Sequence, residues 1–194
     1  MHVSKRFALM SALAIVIATG AVVARASDGA GGREARATLR DASGAVVGRV
    51  WLQEADGKIN VRAVVSGFAP GFHGFHVHAV GTCDPAVPPG QTSPFTSAGG
   101  HLNPSGTTHG AHAGDQPLLL VNSDGTAMGR FASDRYTVAS LFDADGSAFI
   151  VHAAPDNYAN IPGRYAAAGV VGPDAATLAT GDAGGRVACG KIQR

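Results

Sequence analysis

Beyond residue 34 the chain opens with three short β-rich runs, Ala35–Ala42, Val46–Glu54 and Ile59–Phe68. Apolar and polar positions alternate in them with a period near two, and Ala55-Asp56-Gly57-Lys58 between the last two is a hairpin turn signal. In VRAVVSGF the alternation is imperfect, so the faces of Trp51 and Val61 stay open. Gly71–Val80, GFHGFHVHAV, reads as a fourth strand. Alternate side chains of a strand share a face, so His76 and His78 point one way while Phe75 and Val77 turn the other.

From Gly81 to Asp115 the period is lost in a stretch rich in Pro, Gly, Ser and Thr. A loop this long inside a compact domain is either disordered or functional. The cysteine and three histidines it carries favour function. Pro117–Val121 and Ala127–Phe131 resume as strands around the Ser123-Asp124-Gly125 turn, and Tyr136–Phe142 and Ser147–His152 follow, separated by a plain acidic turn at Asp143–Gly146. A second long loop, Ala153–Gly185, precedes a last strand, Arg186–Ile192. About eight short strands without a helix predict an all-β antiparallel sandwich or Greek-key barrel with two long functional loops.

Ahead of this domain, Lys5 and Arg6 precede an apolar run, Phe7–Ala24, that ends in Ala24-Arg25-Ala26. This is the pattern of a secretory signal peptide over residues 1–26, leaving residues 27–34 as a flexible leader and 35–194 as the domain. No cysteine follows the apolar run to accept a lipid, so the processed chain is expected to carry no membrane anchor. It is expected in the periplasm or outside the cell. Cleavage would leave 168 residues, enough for one domain with a sizeable core. Those residues hold 12 basic and 14 acidic side chains, a near-neutral balance with no overall footprint for nucleic acid or an anionic membrane. In an oxidising compartment Cys83 and Cys189 read most simply as one disulfide.

Six histidines and a carboxylate in the strand and loop regions exceed what packing requires. The all-imidazole set His76, His78, His101 and His152 suits copper in both oxidation states. His109, His112 and Asp115 suit tetrahedral zinc but are one ligand short. The ring of His101 has two nitrogens, so as a bridge it completes each set.

The motifs GFHGFHVH, AGGHLNP, HAGD, VHAAPD and GDAGGRVACG follow one another in the chain. Through them, from Ala35 to Ile192, the sequence resembles the bacterial copper-zinc superoxide dismutases. The resemblance implies an eight-stranded Greek-key barrel with copper on His76, His78, His101 and His152 and zinc on His101, His109, His112 and Asp115. It further implies Arg186 as the active-site cation, a Cys83–Cys189 disulfide, and Asp156 as a carboxylate linking a copper ligand to a zinc ligand. His73 matches a position that bonds backbone and is not a ligand. Only two residues separate His109 from His112, fewer than in many members. The implied reaction is disproportionation of superoxide to oxygen and hydrogen peroxide, with His101 releasing copper on reduction and carrying a proton to the peroxide. A copper carrier on this scaffold would be expected to lack the bridge, the zinc ligands or the arginine, and an adhesive sandwich would need no histidine set. Monomer and homodimer are both compatible with the sequence.

Overall fold

The computed structural model describes residues 33–167 and 169–194. The expected signal segment, residues 1–26, lies outside them, as do residues 27–32 of the expected leader. The strands are β1 (Glu34–Arg40), β2 (Val46–Ala55), β3 (Lys58–Val65), β4 (Gly71–His73), β5 (Phe75–His78), β6 (Leu119–Val121), β7 (Ala127–Ser133), β8 (Ala148–His152), β9 (Ala166–Ala167), β10 (Val170–Val171) and β11 (Arg186–Gln193). One six-residue helix, α1 (Ala175–Thr180), interrupts the second long loop.

Alternation sets the inner and outer faces. In β1, Ala35, Ala37 and Leu39 are buried while Glu34, Arg36, Thr38 and Arg40 are exposed. In β3, Ile59, Val61, Ala63 and Val65 are buried. Register then decides the residues the sequence left open: Leu52 sits opposite Val61, both inward, and Trp51 opposite Arg62, both outward.

Seven strands pair antiparallel in the order β5-β8-β11-β1-β2-β3-β7. The hairpin turn at Asn122–Thr126 joins β7 to β6, and β6 pairs with β4, which runs on into β5. The sheet therefore curls back to where it began, an all-β barrel whose two walls share one core. Phe75 of β5 and Phe149 of β8 stack in it with ring centroids 5.0 Å apart.

Three expectations change. The run Gly71–Val80 is not one strand: it exchanges partners at Gly74, β4 pairing with β6 and β5 with β8. Tyr136–Phe142 is not a strand but contains a 3-10 turn at Ala139–Leu141, held by amide bonds from Ser140 to Thr137 O (3.2 Å) and from Leu141 to Val138 O (3.3 Å). Tyr136, Val138 and Leu141 still bury their side chains, so the apolar signal was real and its period misleading. The expectation of no helix fails at α1, where the Asp174 side chain accepts from the Thr177 amide and Gly181 closes the other end.

Candidate metal centre

β5 is buried along its whole length, so its two histidines are held on the opposite side from the Phe75 and Val77 core contacts. β8 lies beside it and delivers His152 from its last position. The free edge of β5 is used by the first long loop. Val77 donates to Gly114 O (2.9 Å), Leu102 donates to Val77 O (2.8 Å) and Gly114 donates to Leu102 O (2.8 Å). Isolated bridges thus set His101 beside His78 and Asp115 beside His76. The approach requires glycine at 114, because a Cβ there would run into the backbone of Val77 and Leu102.

Two sets of ligand atoms converge, each with all atoms within 4.8 Å of one another: His76, His78, His101 and His152, and His101, His109, His112 and Asp115. All seven residues are buried. In the second set, Asp115 Oδ1 lies 2.9 Å from His101 Nδ1, 3.2 Å from His109 Nδ1 and 3.3 Å from His112 Nδ1. His112 Nδ1 and His101 Nδ1 are 3.4 Å apart. An ion bonded at about 2.0–2.1 Å holds tetrahedral ligand atoms roughly 3.3 Å apart, so these spacings fit one. The two-residue gap between His109 and His112 therefore still allows convergence. Asp115 Oδ2 meanwhile accepts the amides of Gly110 (2.7 Å) and His112 (3.0 Å), which fixes the carboxylate's second oxygen away from the rings.

In the first set His78 Nε2 and His152 Nε2 are 3.4 Å apart. His76 Nδ1 and His101 Nε2 are buried without a hydrogen-bond partner, and His109 Nδ1 has only Asp115 nearby, without hydrogen-bonding geometry. A buried ring nitrogen left without a proton partner costs free energy. Its lone pair is what a metal ion takes. His101 thus presents one nitrogen to each set.

Asp156 fixes which nitrogens are available. It accepts from His76 Nε2 (2.6 Å) through one oxygen and lies 2.7 Å from His109 Nε2 through the other. With those positions protonated, Nδ1 is the ring nitrogen left on each residue to hold a metal ion, His109 giving up its second proton to do so. The close group His76, His109 and Asp156 is thereby a hydrogen-bonded link between the two sets. The Tyr158 amide donates to Asp156 (2.6 Å), and the Tyr158 ring lies parallel to that of His109. Gly181 sits directly against Asp156 and His109, and its carbonyl accepts from Asn157 (2.8 Å). Arg135 Nη1 donates to His112 O (3.1 Å) and Gly110 O (3.3 Å), clamping the short loop from outside.

Burial pushes His76 down to about 4, against the pull of Asp156, and His152 down to about 3. Burial, with the neighbouring His101 ring and the Arg186 cation, holds His78 well below its usual range. These rings are neutral donors at neutral pH. Burial also opposes a charge on His109, but the close Asp115 carboxylate and the hydrogen bond with Asp156 outweigh it and raise the ring to about 9. Burial works against ionised carboxyls too, but the hydrogen bond with His101 and the nearby His109 for Asp115, and the bonds with His109 and His76 for Asp156, hold both well below the usual carboxylate range.

Arg186 begins β11 opposite His152. Its guanidinium donates to Phe95 O and Gly99 O, both at 2.6 Å, and Gly99 O also lies 2.9 Å from His78 Nδ1. Cys83 and Cys189 are bonded, with Cα atoms 5.6 Å apart, tying the loop that supplies Phe95 and Gly99 to the strand that supplies Arg186. His73 lies outside both sets, with its ring nitrogens 2.7 Å from His152 O and 2.8 Å from Ala69 O. Tyr158 and Arg135 escape sequence reasoning because neither belongs to a quoted motif, and Gly181, although it opens the GDAGGRVACG motif, has no side chain to signal its contact with Asp156 and His109.

Residues 46–192 match the family described as copper/zinc superoxide dismutase (SODC). The chain is 42% identical over 170 residues to a Cu-Zn superoxide dismutase of Mycobacterium tuberculosis, an alignment covering 84% of this chain and 71% of that one. It is 37% identical over 164 residues to the Escherichia coli K12 Cu-Zn superoxide dismutase, covering 81% and 90% respectively. Its fold is similar to the Cu/Zn superoxide dismutase from Brucella abortus, with a TM-score of 0.64, 28% identity and coverage of 83% of this chain and all of that one.

Proposed function

The chain belongs to the copper/zinc superoxide dismutase family, and we propose that His76, His78, His101 and His152 hold its copper while His101, His109, His112 and Asp115 hold its zinc. The activity is disproportionation of superoxide to oxygen and hydrogen peroxide. When bound, copper supplies the redox couple that takes an electron from one superoxide and gives it to the next, while zinc has no redox role. One observation carries the residue assignment: the buried ring of His101 faces one ligand set with Nε2 and the other with Nδ1.

The protein's own groups then have distinct tasks. His101 Nε2 holds a proton between the two half-reactions and passes it to the nascent peroxide. Asp115 and the zinc-set histidines keep that ring from turning. Asp156 fixes the tautomers of His76 and His109, so neither ring needs to reorganise during turnover. Arg186 binds the small anion: its guanidinium has five N–H donors, and the carbonyls of Phe95 and Gly99 lock its plane while leaving others free.

The disulfide supports export to an oxidising compartment, with residues 1–26 as signal, 27–34 as leader and 35–194 as the working domain. Periplasmic residence is the finer reading, and superoxide is the only substrate required. Metal stripping tests the assignment. The apoprotein should be inactive and recover turnover with copper, whereas turnover by metal-free protein would overturn it.

A further inference from the structure

The outward positions of β1, β2, β3 and β7 concentrate positive charge that the composition averages away. Register places Arg36 opposite Trp51, Trp51 opposite Arg62, and Arg62 opposite Arg130, so one row across four strands reads Arg-Trp-Arg-Arg. Arg49 stands in the next row, beside Val64 and Met128, and Arg40 ends β1. All five arginines are exposed, and among the described residues none is ion-paired to a carboxylate. Glu34 is the only acidic residue among the described outward positions of these strands. Like charges facing each other across strands, as Arg62 and Arg130 do, are unfavourable.

Apolar side chains stand among the cations. Met128 is 70% exposed, Val46 46% and Trp51 39%, and the Arg62 guanidinium lies 4.9 Å over the Trp51 ring. We propose that this face docks on the surface of an anionic phospholipid bilayer, with the arginines on headgroup phosphates and Trp51 and Met128 at the headgroup boundary. Strand spacing makes the row roughly 14 Å long, broad enough to contact several headgroups at once. A polynucleotide is the poorer partner. Stacking on bases needs an open aromatic face, whereas Arg62 already covers one side of Trp51, and exposed Met and Val add nothing to phosphate recognition. The metal sets belong to β5, β8 and the long loops, and β11 separates β8 from the docking strands β1, β2, β3 and β7 along the sheet. Docking therefore leaves them facing solution.

Trp51 is the single tryptophan of the chain and reports its own environment. The test uses the exported protein as the cell processes it, with vesicles of phosphatidylglycerol and phosphatidylcholine and vesicles of phosphatidylcholine alone. Anionic vesicles should shift Trp51 emission to shorter wavelength, brominated acyl chains should quench it, and added salt should reverse both as screening shortens to about 3 Å at 1 M. Arg36→Gln, Arg62→Gln and Arg130→Gln together should lower partitioning about a hundred-fold, or roughly five-fold per arginine, without lowering the melting temperature. Three results would overturn the proposal: no Trp51 response to anionic vesicles, an equal response in the triple variant, or tighter binding of a single-stranded oligonucleotide than of vesicles at the same salt. The last would reassign the face to nucleic acid.

Discussion

Gly181 is where one added methyl group should separate the two metal sets. It ends α1 at φ 62°, and a Cβ there would collide with both Asp156 and His109. In Gly181→Ala the left-handed backbone alone costs about 1–2 kcal/mol. The collision then displaces Asp156 or His109 from a bond that measures 2.7 Å, and a hydrogen bond to a charged group contributes roughly 1.5–3 kcal/mol. Together these give about 3–5 kcal/mol, or a fall of roughly 10 °C in melting temperature for a domain of this size. Gly44→Ala is the control: its φ is 86° and nothing lies within 4 Å of the added Cβ, so it carries the backbone cost alone. Calorimetry of both variants, with copper and zinc measured on each, separates strain from collision. Gly181→Ala should melt well below Gly44→Ala and bind zinc weakly. Equal melting temperatures with full zinc in both would refute the view that Asp156 needs this glycine to hold His76 and His109 together.

Arg135→Gln removes the clamp on Gly110 O and His112 O, so zinc dissociation should accelerate several-fold with copper occupancy unchanged, as followed with a chromogenic chelator; unaltered zinc release would show that the short loop holds itself. Replacing Cys83 and Cys189 with Ser opens a link spanning 106 residues, worth roughly 4–5 kcal/mol in the chain-entropy model, and should also loosen the loop carbonyls that orient Arg186. A small change in denaturation midpoint together with full activity would count against that coupling. Zinc uptake by the metal-free protein should depend on pH. His109 is raised to about 9 and must lose its proton, so apparent zinc affinity should fall about tenfold per unit as pH drops below 9. Copper uptake by zinc-free protein should vary far less between pH 5 and 8, because His76 at about 4 and His152 at about 3 are already neutral. Parallel pH slopes in competition titrations would contradict this.

The ligands were legible because their signal is local. His76 and His78 obey the period of a strand, His101, His112, Asp115 and His152 lie in short motifs, and His109 stands three residues before His112. What organises them was not legible. Arg135 reaches carbonyls 23 and 25 residues away, and Tyr158 donates to Gln116 O across 42. No local pattern encodes such contacts. Tyr136, Val138 and Leu141 resemble a strand in sequence because their burial shows there while the hydrogen bonds that choose a 3-10 turn do not. Helix α1 is too short for a periodic pattern and exists through its ends, Asp174 and Gly181. The Arg-Trp-Arg-Arg row was hidden for another reason: its members come from four strands, and only register aligns them.

Anomalous diffraction from crystals of the copper- and zinc-loaded protein shows whether one imidazole, His101, stands between two different ions. Data at the two absorption edges should give a copper peak beside His101 Nε2, His76 Nδ1, His78 Nε2 and His152 Nε2, and a zinc peak beside His101 Nδ1, His109, His112 and Asp115. With bonds of about 2 Å to each side of the ring, the peaks should lie roughly 6 Å apart. A single peak, a zinc edge signal absent from the Asp115 side, or a metal lodged between His76, His109 and Asp156 would contradict the account.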